Sequence, residues 1–333
     1  MQVENATRTK RQPRPALNVG FILANRFTLS AFASFIDVLR LSADEGDSSR
    51  PILCSWSVIA PDMEPIRASC GVRIHPDTNL IDPAHFDYLV VVGGLIDHIE
   101  RLDRRYVEYL KSAVAKDVPL IGLCTGSFIL HRAGLMNGYK CCVSWFHRTD
   151  FLEQFDGLEP VSDRIFVVDR DRISCSGGTS AVHVAAHLVE RHVGLRQARK
   201  SLHILMVDEA QDDSKAQPFL PTSLKAKDNL VQRAVLMMQQ ETENLRSIEQ
   251  LCKMLGVGRR SLEMKFKSDL SKSPAEALSH IRVEEAKRLL GETEATITNV
   301  AIRSGFFDAS HFNKVFQKHT GLTASAYRNF LAA

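Results

Sequence analysis

Two parts of this sequence carry residue types at spacings that could do chemistry. The first is Pro119-Leu-Ile-Gly122-Leu-Cys124-Thr125-Gly126-Ser-Phe128, where a short apolar run meets a helix-like run at a cysteine with glycine two residues away on either side. Gly-x-Cys-x-Gly has the pattern of a nucleophile elbow, in which a strand turns sharply into a helix and leaves one strained residue at the turn. A cysteine so placed lies at a helix N-terminus, where the peptide dipoles favour thiolate. The second is a repeat. Ile248-x-x-Leu251-Cys252-x-x-x-Gly256-Val257 returns as Ile297-x-x-Val300-Ala301-x-x-x-Gly305-Phe306. A helix with matching apolar residues follows each copy, Leu262 and Phe266 in one, Phe312 and Phe316 in the other, and then a helix start at Ser273-Pro274 or Thr323-Ala324. A small residue in the first helix lets the second pack close, and the glycine takes the positive φ of a tight turn. The pattern predicts two helix-turn-helix units whose second helices are free to enter a major groove.

The elements that must position these residues follow from periodicity. Leu17–Leu23, Ser55–Ala60, Asp87–Val92 and Pro119–Leu123 read as short apolar strands, with Ile165–Asp169 and Arg172–Cys175 as a hairpin pair. Leu29–Ala43, Arg104–Lys116, Gly126–Ala133, Thr179–His192 and Leu195–Val207 have helical spacing. Apolar strands separated by helices predict a mostly parallel, flavodoxin-like three-layer α/β sheet domain over 16–210. Cys141-Cys142-Val143-Ser144 is a further expected strand, its two sulfurs on opposite faces. The stretch 211–228, with Pro218 and Pro221 and no periodicity, predicts a linker. Beyond it every element reads helical, an all-α domain over 229–333. Residues 1–15, basic with Pro13 and Pro15, predict a disordered arm rather than a secretory leader.

Composition bounds the function. Of 333 residues 44% are hydrophobic, enough for two packed domains. No run of 18 apolar residues exists, which excludes a membrane helix. Seven cysteines at no metal-binding spacing predict reduced thiols in a cytoplasm, with neither metal nor cofactor. Residues 223–333 hold 17 Lys and Arg against 12 Asp and Glu, and the remainder holds 25 against 27. A basic C-terminal third fits a nucleic-acid partner.

The C-terminal region closely resembles the DNA-binding domain of AraC/XylS-type transcription regulators. Its ending carries the likeness: Gly305-Phe306-x-x-x-Ser310-x-Phe312-x-x-x-Phe316-x-x-x-x-Gly321-x-Thr323-x-x-x-Tyr327-Arg328. The resemblance implies that Arg260, Glu263, Met264 and Lys267 on one recognition helix, and Ser310, His311 and Lys314 on the other, face double-stranded DNA. Arg260 suits guanine O6 and N7, and Met264, where this family often has a polar reader, suits a thymine methyl. Lys267 and Lys314 suit bases or phosphates.

The elbow, with Gly93-Gly94 and Ser176-Gly177-Gly178, makes residues 16–205 similar to the PfpI-like branch of the class I glutamine-amidotransferase superfamily. The whole chain thus resembles GlxA-like transcription regulators. That implies an activator whose sensing domain binds a small metabolite at Cys124, Thr125, Asp37, Gly94, Ser144, Trp145 and Gly177, with RNA polymerase and a second copy of the chain as partners. The segments around Trp145 and Cys175 look like members that sense betaine, carnitine or basic amino acids. Trp145 either lines the crevice or packs in the core, and Leu195–Val207 is either an interface or a core helix. Thr125 stands where hydrolytic relatives place histidine, and Ser144 where many GlxA-like chains have one. The implied role is binding without turnover. A thiol-dependent hydrolase or amidotransferase, or a redox sensor using Cys124, are the alternatives.

Overall fold

The computed structural model describes residues 14–99, 103–218, 224–245 and 247–332. The chain forms two compact units. The first runs to Ser214 without Ser162–Arg164, and the second comprises Ser162–Arg164 and the chain from Lys215 onward.

In the first unit the strands are β1 (Leu17–Leu23), β2 (Cys54–Ala60), β3 (Ile66–Arg67), β4 (Arg73–Ile74), β5 (Thr78–Asn79), β6 (Tyr88–Val92), β7 (Leu120–Leu123), β8 (Phe166–Asp169) and β9 (Arg172–Cys175). The helices are α1 (Leu29–Ser42), α2 (Ile96–Ile99), α3 (Arg104–Val114), α4 (Gly126–Arg132), α5 (Arg148–Gln154), α6 (Ser180–His192) and α7 (Leu195–Ile204). One seven-stranded sheet has the order β5-β2-β1-β6-β7-β9-β8, parallel except for β8, and β3 and β4 form a separate antiparallel pair. Without the short edge strands this is the flavodoxin-like order, with its reversal beside β1.

Strand alternation sends side chains to two cores. Tyr88, Val90 and Val92 of β6 join Phe21, Leu123 and Cys175 on the side covered by α1, α6 and α7. Leu89 and Val91 join Ile22, Leu120, Leu110 and Phe128 on the side covered by α3 and α4. Phe21 meets Phe32 and Phe35 edge-on, each at 5.4 Å, contacts worth about 0.5–1.5 kcal/mol apiece beyond area burial. Both faces are buried, so the strands read as continuous apolar runs.

Two expectations change here. Cys141–Ser144 is not a strand: Cys142 makes a single bridge to Val161, and its N–H donates to Ser174 Oγ at 2.7 Å. β9 is already paired on both sides, by β7 and β8, so no ladder edge is open to this segment. Within the expected linker, Leu224 and Ala226 are buried in the core of the second unit. Of the expected N-terminal arm, residues 1–13 lie outside the described residues, and Arg14 binds the Asp87 carboxylate at 3.0 Å.

The second unit contains α8 (Asn229–Gln240), α9 (Ile248–Leu255), α10 (Arg259–Leu270), α11 (Pro274–Glu292), α12 (Ile297–Arg303), α13 (Ala309–Thr320) and α14 (Ala324–Ala332). It has two cores strung on α11. Ala277, Leu278 and Ile281 pack with α8, α9 and α10. Val283, Ala286, Leu289 and Leu290 pack with α12, α13 and α14. Ser273 and Glu276 form a reciprocal capping box that starts α11 with Pro274 in its first turn.

Candidate functional site

Cys124 follows the last residue of β7 with φ +55°, a left-handed conformation unusual outside glycine. The elbow is held from three sides. Thr125, buried behind it, donates from Oγ1 to the Gly94 carbonyl at 2.8 Å, tying the turn to the end of β6. Gly177, at φ +93°, presses on the cysteine so closely that an added Cβ would lie 2.7 Å from its Cβ and 3.0 Å from its sulfur. Thr28, at the N-terminus of α1, donates from Oγ1 to the sulfur at 3.4 Å. Thus β6, β7, the turn after β9 and the turn after β1 converge at the carboxyl ends of the parallel strands, where open α/β sheets bind ligands.

Cys124 is partly exposed. Among the described residues no histidine, lysine or carboxylate is hydrogen-bonded to its sulfur. His131, one helical turn and a half along α4, is buried between the rings of Phe151 and Phe155, at 5.1 and 5.2 Å, and burial pushes its pKa down to about 4. His147 binds the Asp150 carboxylate through Nδ1 at 2.8 Å.

The second unit presents two matching surfaces. α9 is capped by Ser247, whose hydroxyl accepts from the Gln250 N–H at 3.1 Å, and closes at Gly256 with φ +70°. Leu262 and Phe266 then bury one face of α10 and leave Arg260, Glu263, Met264 and Lys267 exposed. In the second copy α12 is capped by Thr296 and the turn passes through Gly305, at φ +80°. A Cβ on Gly305 would lie 2.0 Å from the Thr242 carbonyl oxygen, so no other residue fits. Phe312 and Phe316 bury one face of α13, and Ser310, His311 and Lys314 are exposed. The 19 residues of α11 that join the copies make a rod about 28 Å long, comparable with the 34 Å of one DNA turn.

Comparison with known proteins agrees in both units. The DJ-1/PfpI family model matches residues 18–191, and a helix-turn-helix domain model matches residues 251–329. The chain is 31% identical to the HTH-type transcriptional regulator GbdR of Pseudomonas aeruginosa over 93% of its length and 84% of that protein's. The chain belongs to the transcriptional regulators that join a DJ-1/PfpI domain to an AraC-type helix-turn-helix domain. It is also 24% identical to the HTH-type transcriptional regulator GlxA of Rhizobium meliloti, over 95% of this chain and 96% of that one. A ThiJ/PfpI family protein from Pseudomonas syringae, 19% identical, shares the fold with a TM-score of 0.51, over 77% of this chain and 97% of that one. No helix among the described residues is long and apolar enough to cross a membrane.

Within this regulator the residues singled out from sequence separate. Cys124, Thr125, Gly94 and Gly177 meet at the elbow. Asp37 does not join them by any hydrogen bond. It lies two helical turns beyond Thr28, and its carboxylate accepts from Arg40 Nε at 2.6 Å on the partly exposed face of α1. Thr28, the residue before α1, is the group on the sulfur that sequence reasoning missed, and no local pattern around it signals the contact. Ser144 caps a short turn by accepting from the Phe146 N–H at 3.4 Å. Trp145 is half-buried, with the exposed ring of Phe146 edge-on to it at 5.7 Å. On α10, Arg259 binds Glu263 at 2.8 Å and also pairs with Glu249, whereas Arg260 has no ion-pair partner among the described residues. A cavity of about 270 Å³ opens beside the end of β1, lined by Asn25, Asp62, Glu64, Arg67, His98 and Tyr106; none of the predicted ligand residues lines it.

Proposed function

We propose that this regulator is a cytoplasmic, metabolite-controlled activator that reads DNA with α10 and α13. Its elbow domain binds the effector without turning it over. The observation that carries the second half is the Cys124 sulfur, whose partner is the neutral Thr28 hydroxyl rather than a general base. Acyl transfer by a thiol needs a base to take its proton, and His131 is turned away in an aromatic cluster. Trp145 and Phe146 favour a small quaternary amine or amino-acid-like effector of the betaine or carnitine kind, held by cation–π contact. The two DNA-facing surfaces support the first half: Arg260 reads guanine, Lys267 and Lys314 contact phosphate or bases, and Ser310 and His311 line the second groove. Glu263, held by Arg259, orders that side of α10 rather than reading a base. The regulator works as a homodimer and contacts RNA polymerase; the exposed Ile204 and Met206 at the end of α7 support self-association.

The test is thermal melting of the purified chain against quaternary amines, amino acids and small carboxylates. A ligand of the folded state at a hundredfold excess over its Kd stabilises by about 2.7 kcal/mol. The response should disappear in Trp145→Ala, and operator binding should change with the same ligand. Loss of response in Asp62→Asn instead would move the effector to the acidic cavity. Chemical conversion of the ligand by the wild type, absent in Cys124→Ala, would overturn the non-catalytic reading.

A further inference from the structure

The cavity at the end of β1 lies apart from the elbow. Its floor is Leu23 and Ala24, one wall is the chain leaving β2, and the other is the chain leaving β6. β1 pairs with β2 on one side and β6 on the other, both parallel. This is the point where the strand order reverses, and open α/β sheets bind ligands at such a reversal. The charges around the cavity are of both signs. Asp62 and Asp103 share Arg105, at 3.1 and 2.6 Å, while Glu64 has no ion-pair partner among the described residues. Arg67 stands directly opposite Arg73 in the β3–β4 pair. Like charges so placed repel, and neither guanidinium has a carboxylate partner among the described residues. Tyr106 is only 7% exposed, yet its hydroxyl makes no hydrogen bond among the described residues. Burial and the Asp62 and Asp103 carboxylates raise its pKa, so it keeps its proton to donate. A buried donor is costly unless something accepts from it, and Tyr106 faces the cavity.

We propose that this cavity is a second small-molecule site that takes a free α-amino acid, its carboxylate on Arg67 and its ammonium on Glu64, with the Tyr106 hydroxyl completing the contacts. The two unpaired charges that line the cavity are opposite in sign, so they match a zwitterion better than an anion or a cation alone. A guanidinium holds a carboxylate through two parallel hydrogen bonds. A primary ammonium has three hydrogens to donate to a carboxylate. A quaternary amine has none, and no tryptophan or phenylalanine face lines the cavity to hold one by its charge. The volume of about 270 Å³ lies just below the roughly 300–1,000 Å³ of sites for drug-sized ligands, which suits a single amino acid. The site gives the regulator an input separate from whatever the elbow binds, and it stands whether or not the effector reading does.

The test titrates the full chain with the common α-amino acids one at a time, by calorimetry and thermal melting. At least one should bind and raise the melting temperature. The same molecule without its carboxylate, or without its ammonium, should bind at least about tenfold more weakly, as expected when one charged hydrogen-bonded contact is lost. Arg67→Gln and Glu64→Gln should each weaken the amino acid by a similar factor. Both side chains are exposed, so neither variant endangers the fold. Tyr106→Phe, which removes only the hydroxyl, should weaken it too. Trp145→Ala should leave it unchanged. Loss of binding in Arg67→Gln with Trp145→Ala intact upholds the site even where the elbow reading fails its own test. Amino-acid binding that survives both Arg67→Gln and Glu64→Gln overturns the inference. So does an N-trimethylated derivative that binds as tightly as its parent amino acid, or the failure of every amino acid to bind.

Discussion

Gly177→Ala and Gly178→Ala make a matched pair of perturbations at the elbow. Both glycines have positive φ, +93° and +57°. An L residue in left-handed backbone costs roughly 1–2 kcal/mol, and that charge falls on both variants. Only at Gly177 does the new methyl meet anything. It would lie 2.7, 2.9 and 3.0 Å from Cβ, Cα and Sγ of Cys124, whereas at Gly178 nothing lies within 4 Å. Cys124 cannot give easily, because its own backbone is held at φ +55° between β7 and α4. Forcing a methyl into such packing adds roughly 1–3 kcal/mol. Gly177→Ala should therefore be the less stable of the two by about 2 kcal/mol, or roughly 4–8 °C in melting temperature for a unit of this size. The assay is chemical denaturation and thermal melting of both variants beside the parent chain. Equal melting temperatures would mean that Gly177 does not pack against the cysteine, and the account of the elbow would fall with it.

The other predictions concern charge. Arg260→Ala should weaken operator binding by about 1–3 kcal/mol and relax one base position, while Lys314→Ala should weaken all sequences alike and reduce the salt slope by about one; fluorescence anisotropy on an operator and its single-base variants over a salt series separates them. Arg233 binds Asp163 at 2.6 Å with both side chains nearly buried, so Arg233→Ala strands a carboxylate and should cost about 3–5 kcal/mol, read as a drop in the denaturation midpoint. His131 is held neutral, its pKa lowered to about 4 from 6.5 by burial. The unfolded chain binds that proton first, so stability present above pH 6.5 is lost as pH falls towards 4, by at most about 3 kcal/mol. Denaturation at pH 7 and pH 5 should show this loss, and His131→Leu should lessen it.

Much of this was legible in residue patterns. Strands buried on both faces, such as Tyr88–Val92, announce themselves as unbroken apolar runs, and Pro274 and Gly256 mark helix ends by backbone chemistry alone. The repeat exposed both recognition helices, because anchoring residues recur with helical period. What stayed hidden depends on contacts distant in sequence. Thr28 reaches Cys124 across 96 positions, and nothing about an isolated threonine signals that. Asp37 was weighed without Arg40 one turn on, which donates to its carboxylate. The apolar Cys141–Ser144 looked like a strand, but whether a strand pairs depends on a free edge, and sequence does not show edges.

Ser162–Arg164 belongs to the DNA-binding unit although the chain on both sides of it does not. The unit is therefore discontinuous in sequence, and fusion of an elbow domain to a helix-turn-helix domain is not the simple joining of two beads. A fragment cut at Lys215 keeps Arg233 and discards Asp163, leaving the guanidinium without its carboxylate. Exchange of DNA-binding domains between relatives would meet the same obstacle. A donor domain finds its partner acid only if the recipient carries one in this three-residue stretch, so modularity here extends to a splice at two places, not one.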